Sequence, residues 1–482
     1  MVSLVVKTPE QLFDIYPGSV VREAPLLLTV STNKHGLIPE QHDNTLQSNK
    51  ISMKINLLLM KLLLTALLQI SINFFSTCSA FNYVDLTTNE LSIRAGLPNF
   101  FNKIQRRESI HVAYLGGSIT AQPGWRIYSL DWMNEKFPQV KFEEINAAIG
   151  GTGSNFGVFR LHEHVLKFNP DLIFIEFAVN DDKADPDRII RAMEGIVRQT
   201  WESNPFTDIC FVYTIKEDFL ETETNGELPQ SAQTMEKVAD KYGIPSINFG
   251  FEVAQQVQQG KLIFSNESSK EINGVSVFCP DKVHPYIETG HQIYNSVLSR
   301  SLEAIQEAGK IKAKKHKLSK PINPGYFSDT EMLNYTEVKL SNNWEIIEVK
   351  EDERFKRFDN YLCHIGRACN TGEELTVHFK GKAVGVFDIM GPDAGKVSVE
   401  IDGEPGDTIS RFDSYCTYHR MNFVIIDKLD DKEHTVVFKV IAAPFDKKSI
   451  LTGKEDFDLH PEKYKENCWH VGKILIDGEL IK

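Results

Sequence analysis

The sequence lacks the features of several protein classes. It has no excess of positive charge, because 53 Lys and Arg stand against 66 Asp and Glu, which gives a formal net charge of −13. We therefore expect no nucleic-acid partner and no general affinity for an anionic membrane. Internal repeats and long low-complexity tracts are also missing. The 482 residues are 41% hydrophobic and 25% charged, as in an ordinary globular protein of two or three domains.

Cysteine is scarce, and its spacing fits no metal site. The chain has seven cysteines, and their spacing matches no zinc knuckle, so we expect no metal and no other cofactor. Cys210 lies in an apolar stretch and is predicted to be a buried strand residue. Four cysteines lie beyond residue 360, where an exported protein can form disulfides, although the sequence leaves the pairing open.

The apolar run near the N-terminus is too short to cross a bilayer comfortably. Residues 62–75 span 14 positions, whereas a transmembrane helix needs about 20. A basic stretch from Met53 precedes the run, and the small residues Cys78-Ser-Ala80 follow it, in the order of a secretory signal peptide. The sequence thus predicts a signal peptide over residues 53–80 and export to the periplasm or the extracellular space. Residues 1–52 are then a non-native or disordered extension, and a membrane anchor is the alternative.

The pattern from residue 110 to about 308 alternates between strands and helices. Strands are predicted at residues 110–115, 140–146, 171–177, 209–213 and 243–248, and helices at residues 125–137, 156–168, 188–202, 231–242 and 289–308. Such alternation indicates a parallel sheet with helices on both faces. The predicted fold class is therefore an α/β three-layer domain, which we assign to residues 81–309.

Beyond this domain the pattern changes. Six lysines in residues 310–320, followed by two prolines, predict a solvated helix end and a linker over residues 310–324, with a basic binding tail as the alternative. Residues 325–482 then show short stretches of period two, which predict strands at residues 337–340, 375–379, 384–389, 397–401 and 435–440. Turn signals such as Asp402-Gly403 and Asp477-Gly478 separate or flank these stretches. The second predicted domain is an all-β sandwich of jelly-roll size.

Four short blocks of the α/β region carry the residues of greatest chemical interest. They contain Ser118 in a Gly-Gly-Ser turn, Gly151 in a glycine-rich loop, Asn180, and the pair Asp281 and His284. The first three blocks directly follow predicted strands. Because ligands bind outside the carboxyl ends of parallel strands, these blocks should converge on one crevice, and the fourth should enter from a loop above it.

The residue types match the requirements of acyl transfer. Ser118 can serve as nucleophile and His284 as its base, and Asp281 lies three residues earlier, so that one turn can bring its carboxylate to the imidazole. The backbone N–H groups of Ser118 and Gly151 and the side-chain amide of Asn180 are candidate donors to an oxyanion. The sequence predicts a serine hydrolase site from these five residues.

Each feature also has a structural alternative. Asn180 can cap the following helix, and the glycines near residue 151 can form a phosphate-binding turn, although their spacing differs from a P-loop and no Lys follows. His162 and His164 invite a metal-ligand interpretation. However, a pair two residues apart on a helix points to different faces, which favours solvated or packing histidines.

The four blocks together resemble the SGNH hydrolase superfamily, the GDSL-type esterases and lipases. Ser118, Gly151, Asn180 and His284 correspond to the four residues for which that superfamily is named, and the resemblance covers residues 108–308. It implies a flavodoxin-like fold, with Asp281 as the third member of the triad. Gly117 departs from the family pattern, in which an aspartate commonly stands directly before the serine. The third block has alanine where glycine is usual.

The resemblance implies ester hydrolysis without naming the substrate. Predicted export, the absence of a long apolar lid segment, and a vague likeness of residues 325–482 to galactose-binding-like jelly rolls favour an O-deacetylase of polysaccharides or oligosaccharides. A lipid acyl-ester hydrolase or thioesterase, and a catalytically idle glycan-binding protein, are the alternatives. Trp125 and Arg126 follow the nucleophile and are candidates for substrate binding. No stable membrane insertion is expected after processing.

Overall fold

The computed structural model of the protein describes residues 89–309, 312–442 and 445–481. The predicted extension at residues 1–52 and the predicted signal peptide at residues 53–80 lie outside these ranges. Within the described ranges, none of the helices combines the length and the apolar character that a bilayer crossing requires.

A six-stranded sheet forms the centre of the first half of the chain. Its strands are β1 (Leu91–Ser92), β2 (Ile110–Gly116), β3 (Phe142–Asn146), β4 (Leu172–Glu176), β5 (Asp208–Tyr213) and β6 (Ser246–Asn248). The spatial order is β1-β6-β5-β4-β2-β3, and only β1 is antiparallel to its neighbour. The five parallel strands thus have the flavodoxin-like order, which confirms the predicted α/β fold class.

Helices cover both faces of this sheet. They are α1 (Pro98–Arg106), α2 (Ser118–Ala121), α3 (Trp125–Lys136), α4 (Ser154–Phe159), α5 (Leu161–His164), α6 (Pro186–Ser203), α7 (Leu220–Thr224), α8 (Gln230–Tyr242), α9 (Phe249–Gln258) and α10 (Gly290–Ala308). The single helix predicted over residues 156–168 is wrong, because α4 ends before Arg160, whose φ of −94° and ψ of 0° break the helix. The Arg160 guanidinium turns inward and donates to the carbonyl oxygens of Ala147 and Gly116.

A small second sheet in the same half escaped the sequence analysis. Its strands are β7 (Leu262–Ser265), β8 (Glu271–Ile272) and β9 (Val275–Cys279), in the order β7-β9-β8. The strands are two to five residues long and partly exposed, so their hydrophobic pattern is weak. This sheet matters for the site because β9 leads directly into the loop with Asp281 and His284.

The lysine-rich segment after α10 is mostly exposed, and His316 attaches it to the domain. The His316 ring stacks on Trp201 with 4.4 Å between ring centroids. Its Nε2 lies 2.8 Å from a carboxylate oxygen of the buried Asp208. Aromatic stacking and a buried acidic partner thus hold this one side chain against the domain, and the assignment of residues 310–324 as a linker stays a prediction.

The second half of the chain is a β-sandwich, as predicted. Its strands are β10 (Thr330–Asn334), β11 (Lys339–Leu340), β12 (Glu345–Glu348), β13 (His364–Ala368), β14 (Glu374–Met390), β15 (Lys396–Ile401), β16 (Glu404–Ser410), β17 (Arg420–Ile426), β18 (Lys432–Ile441) and β19 (Trp469–Leu480). All strand pairs are antiparallel. Two short helices, α11 (Lys447–Ile450) and α12 (Lys454–Leu459), precede the last strand.

Strand β14 organises the sandwich because it pairs with four other strands. Its first part pairs with β11 and β18, its second part with β17, and its middle with β19. Register shifts near Gly381 and Phe387 let one 17-residue strand bend between these partners. The strands predicted at residues 375–379 and 384–389 are therefore two parts of β14. The sequence separates them because Lys380, Gly381 and Lys382 interrupt the apolar pattern, although residues 374–383 alternate between more and less buried positions.

The two halves share one hydrophobic core. The core cluster on one face of the parallel sheet includes Phe156 and Phe159 of α4 together with Phe327, Phe387 and Leu475. The Phe156 ring stacks on the Phe423 ring at 4.7 Å between centroids and at an angle of 9°. The opposite face has a separate core made only of α/β residues. The sandwich thus covers the face from which α4 projects.

Candidate active site

Ser118 lies where β2 ends and the short helix α2 begins. Strand β2 neighbours β3 on one side and β4 on the other, so its carboxyl end lies where the strand order reverses, which is where flavodoxin-like sheets bind ligands. Gly117 precedes the serine in an extended conformation. The buried strand, with its end at Gly116, therefore presents a partly exposed hydroxyl at the predicted crevice.

A hydrogen-bonded chain joins Ser118, His284 and Asp281. His284 Nε2 lies 2.8 Å from Ser118 Oγ, and His284 Nδ1 lies 2.7 Å from Asp281 Oδ2. The structure thus brings together residues from distant parts of the chain, since Ser118 and His284 are 166 positions apart. This is the arrangement of a nucleophile, a base and a group that orients the base.

Backbone donors hold the Asp281 carboxylate in place. Its Oδ1 accepts from the N–H groups of His284 at 2.7 Å and Val283 at 3.1 Å. Burial alone would raise the pKa of Asp281, but the backbone and side-chain hydrogen bonds from His284 and the N–H of Val283 outweigh burial and lower that pKa. The carboxylate therefore stays ionised and keeps its charge beside the imidazole.

The loop that carries these two residues is itself fastened. Lys282, between them, has a φ of +72°, and its carbonyl oxygen accepts from the backbone N–H of Glu217 at 2.9 Å. Its ammonium lies 2.8 Å from the Glu217 carboxylate. These two contacts tie the loop to the segment that follows β5.

The three predicted oxyanion donors surround the same serine. Gly151 has a φ of +73°, and neither its N–H nor that of Ser118 has a hydrogen-bond acceptor among the residues that the structure describes. A Cβ placed on the neighbouring Gly150 would lie 3.5 Å from Ser118 Cβ, so this loop runs beside the nucleophile. The Asn180 amide lies against Gly117, where a Cβ would be 2.0 Å from Asn180 Oδ1. Their roles as donors stay a prediction.

The structure does not place the two predicted substrate-binding residues at the surface. Trp125 is fully buried and packs edge-on against Tyr114 and Phe249. Arg126 is 5% exposed, pairs with Glu144 and donates to the Thr120 carbonyl oxygen at 3.1 Å. This placement contradicts a direct contact with substrate for either side chain, because packing on α3 turns both into the protein.

Two buried carboxylates near the site escaped the sequence analysis. Glu176 ends β4, and Asp181 directly follows Asn180. Both are almost fully buried, at 1% and 3% exposure. The signal for Glu176 was present in the sequence, since a charged residue inside a predicted buried strand needs a partner or a function.

The histidines at 162 and 164 do not form a joint site. His162 is exposed, whereas the His164 ring packs on Tyr361. Within the described ranges, the one group of side chains with metal-ligand spacing is Cys369, Glu466 and Cys468, and its two cysteines form a disulfide.

Comparison with known proteins agrees with this geometry. Residues 114–286 match the family model of the GDSL-like lipase/acylhydrolase family. The chain thus carries a GDSL-like lipase/acylhydrolase domain over these residues. A chain with a GDSL-like hydrolase domain is an ester-hydrolysing enzyme, and the matched residues include all five that the sequence analysis assigned to the triad and to the oxyanion donors.

Solved structures extend the likeness beyond the GDSL-like domain. A two-domain esterase active on acetylated mannans is 19% identical, with a TM-score of 0.64, and the match covers 82% of this chain and 98% of that one. The same esterase co-crystallised with mannopentaose gives a TM-score of 0.62 at the same identity and coverage. These matches show that the two-domain fold is shared. No curated protein matches the chain by sequence.

Proposed function

We propose that this enzyme is an exported serine esterase that removes O-acetyl groups from a polysaccharide or an oligosaccharide. The observation that carries the proposal is the continuous chain from Asp281 through His284 to Ser118 Oγ, with bonds of 2.7 and 2.8 Å. It ends beside the backbone N–H groups of Ser118 and Gly151 and the amide of Asn180.

In the first half of the reaction, Ser118 Oγ attacks the acetyl carbonyl carbon. His284 Nε2 takes the hydroxyl proton, while Asp281 accepts from Nδ1–H and stabilises the imidazolium. The carbonyl oxygen becomes an oxyanion and accepts hydrogen bonds from Ser118, Gly151 and Asn180. The C–O bond to the sugar then breaks, His284 donates its proton to the sugar oxygen, and an acetyl-serine remains.

In the second half, water replaces the sugar. His284 Nε2 removes a proton from water, which attacks the acetyl carbonyl and again forms an oxyanion at the same three donors. The bond to Ser118 Oγ breaks, the serine recovers its proton from His284, and acetate leaves. Each oxyanion donor typically contributes about 3–4 kcal/mol of transition-state stabilisation. The proposed chemistry uses no metal or cofactor.

Three observations support a carbohydrate substrate. The two-domain fold is shared over 82% of this chain with an esterase that acts on acetylated mannans. The β-sandwich is built against the GDSL-like domain through the packing of Phe156 on Phe387 and Phe423. Tyr415 lies on the sandwich with 62% exposure, which leaves its ring accessible for stacking on a sugar.

The nucleophile is tested with Ser118→Ala. We expect hydrolysis of an aryl acetate to fall by at least about 10³-fold, because the acyl-enzyme cannot form. Ser299→Ala is the matched control, since Ser299 is partly exposed on α10 and its hydroxyl donates to a carbonyl of its own helix. Unchanged hydrolysis by the folded Ser118→Ala enzyme contradicts the proposed function.

The substrate class is tested by acetate release from a panel of acetylated polysaccharides, compared with cleavage of long-chain acyl esters. Faster release of acetate from glycans supports the proposal, whereas a preference for long acyl chains supports a lipid hydrolase of the same fold. Export is tested separately by mass spectrometry of the mature protein. A mature N-terminus near residue 81 supports the predicted signal peptide, and a retained segment 53–80 contradicts it.

A further inference from the structure

The exit of β4 carries two buried carboxylates on either side of Asn180. Glu176 and Asp181 are five positions apart and almost inaccessible to solvent, and the groups that donate hydrogen bonds to their carboxylates are uncharged. Burying a carboxylate is costly unless hydrogen bonds satisfy its oxygens. The donors to these two groups therefore indicate what each carboxylate holds in place.

Glu176 binds the turn that presents the nucleophile. Its Oε2 accepts from the Thr120 hydroxyl at 2.9 Å, and Glu176 is the sheet partner of Gly116. Gly116 and Thr120 lie two positions before and two positions after Ser118. The other oxygen, Oε1, accepts from Thr214 at the exit of β5, at 2.8 Å. Glu176 thus joins the serine turn to the sheet beneath it.

Asp181 binds the loop that carries Gly151. Its two carboxylate oxygens lie 3.1 and 3.2 Å from the backbone N of Ser154. The fit is close, since a Cβ on Gly153 would lie 2.1 Å from Asp181 Oδ1. Asp181 therefore fixes the end of the glycine loop where α4 begins.

Asn180 lies between these two attachments. Its side chain contacts Gly117, in the turn that Glu176 holds through Thr120, and its backbone continues into Asp181, which holds the Gly151 loop. We infer that Glu176 and Asp181 are positioning residues that align the nucleophile turn and the Gly151 loop with Asn180, so that the three oxyanion donors keep one geometry. This inference rests on the proposed function of Asn180 and Gly151.

Burial disfavours the charged form of both carboxylates, which agrees with a structural role for these side chains. Burial raises the pKa of both groups, to about 6 for Asp181. Asp181 faces Glu176, which raises its pKa further, and Arg188, which lowers it. Glu176 faces His284, whose charge lowers the pKa of the carboxyl. Neutral amide variants therefore preserve the shape of each group and remove little favourable charge.

The inference is tested by a double-mutant cycle between Asp181→Ala and Asn180→Ala. Removing Asn180 should lower kcat by about 10²- to 10³-fold. Asp181→Ala alone should lower kcat by about 10- to 100-fold with little change in KM, because small displacements of catalytic groups affect the transition state most. In the Asn180→Ala background the same change should cost less than in the wild type, because the alignment of the Gly151 loop with Asn180 no longer contributes. Asp181→Asn and Glu176→Gln should recover most of kcat.

Asp185→Ala is the matched control. Asp185 also caps a helix, since it accepts from the backbone N of Asp187 at 3.2 Å, but it lies exposed at the start of α6. This variant should lower stability and leave kcat unchanged. An Asp181→Ala loss that persists in full without Asn180, or that appears only in KM, overturns the inference. If Asp181→Ala does not fold, Asp181→Asn is used in the same cycle, and its smaller loss must again be reduced without Asn180. Ser118→Ala in the same assay separates the outcomes, because retained activity there contradicts the proposed function itself.

Discussion

At the scale of single residues, the space beside the nucleophile limits which side chain can stand at position 117. Its φ of −92° is open to any residue, so glycine is not required for conformational reasons. A Cβ at this position would lie 2.0 Å from Asn180 Oδ1, however. The family that the chain resembles commonly has aspartate here. In this chain the room for that side chain is occupied by the Asn180 amide.

Gly117→Ala should therefore displace Asn180 and lower kcat by about 10²-fold, the effect of losing one oxyanion donor. The measurement is kcat on an aryl acetate, with thermal unfolding to confirm that the variant folds. The Asn180→Ala background is the control, because the clash is absent there and the added methyl should cost little. An equal loss in both backgrounds would show that the methyl acts on something other than Asn180.

His291 carries a pH dependence that the sequence did not reveal. The ring is fully buried, its Nδ1 accepts from the Trp125 N–H at 3.1 Å, and its Nε2 lies 3.0 Å from Gln122 Oε1. Burial first, and then the charge of His284, lower the pKa of His291 to about 4. The neutral ring therefore stabilises the fold above its ordinary pKa of 6.5, and this stability is lost as the pH falls towards 4.

The expected loss from His291 is about 3 kcal/mol, at about 1.4 kcal/mol for each pKa unit. His291→Asn removes the titration and keeps an acceptor near the position of Nδ1. Urea unfolding of this variant and of the wild type, measured at several values between pH 7 and pH 4, should give a difference that shrinks as the pH falls. A constant difference over that range would rule out His291 as the titrating group.

At the scale of elements, the sequence predicted the strands whose ends carry chemistry. The run Leu172–Glu176 is mostly apolar because β4 is covered on both faces. The polar pair Asn180-Asp181, a few residues later, marks the end of this run in the sequence. The turn at Asp402-Gly403 was also predicted correctly from the sequence, since both residues have positive φ in the hairpin between β15 and β16. Asp477-Gly478 resembles such a turn but lies within β19, because its partner strand β14 is bent there. Pairing between distant segments decides such cases, and it cannot be read locally.

The disulfide is an element-scale feature that the sequence left open. Cys369 follows β13 and Cys468 precedes β19, beside the strand pair of Ala368 and Trp469. It closes a segment of 99 residues, which is worth about 5 kcal/mol through the restricted unfolded chain. Cys468→Ala should lower the unfolding free energy by about this amount. Cys363→Ala, which changes an exposed free thiol, should leave it nearly unchanged. Equal urea midpoints for the two variants would contradict a structural role for the disulfide.

At the scale of the whole molecule, the hydrophobic core continues across the boundary predicted at residues 310–324. Phe156 opens the helix after the Gly151 loop, and its ring contacts Phe387 and Phe423 of the sandwich. Tyr361 of the same half donates to the Ala148 carbonyl oxygen at 3.1 Å, three residues before Gly151. The sandwich therefore supports the loop that carries a proposed oxyanion donor.

This shared core predicts that the two halves unfold together. Phe423→Ala removes the ring stacked on Phe156 and should lower the unfolding free energy by about 3 kcal/mol. Tryptophan fluorescence and esterase activity should still be lost in one coincident urea transition, because the contact is part of a common core.

Phe206→Ala is the control, since that ring is 48% exposed and its removal should cost little stability. Two separated transitions in the wild type would show that the halves are independent. Activity retained while the sandwich unfolds would show that the sandwich does not support the Gly151 loop.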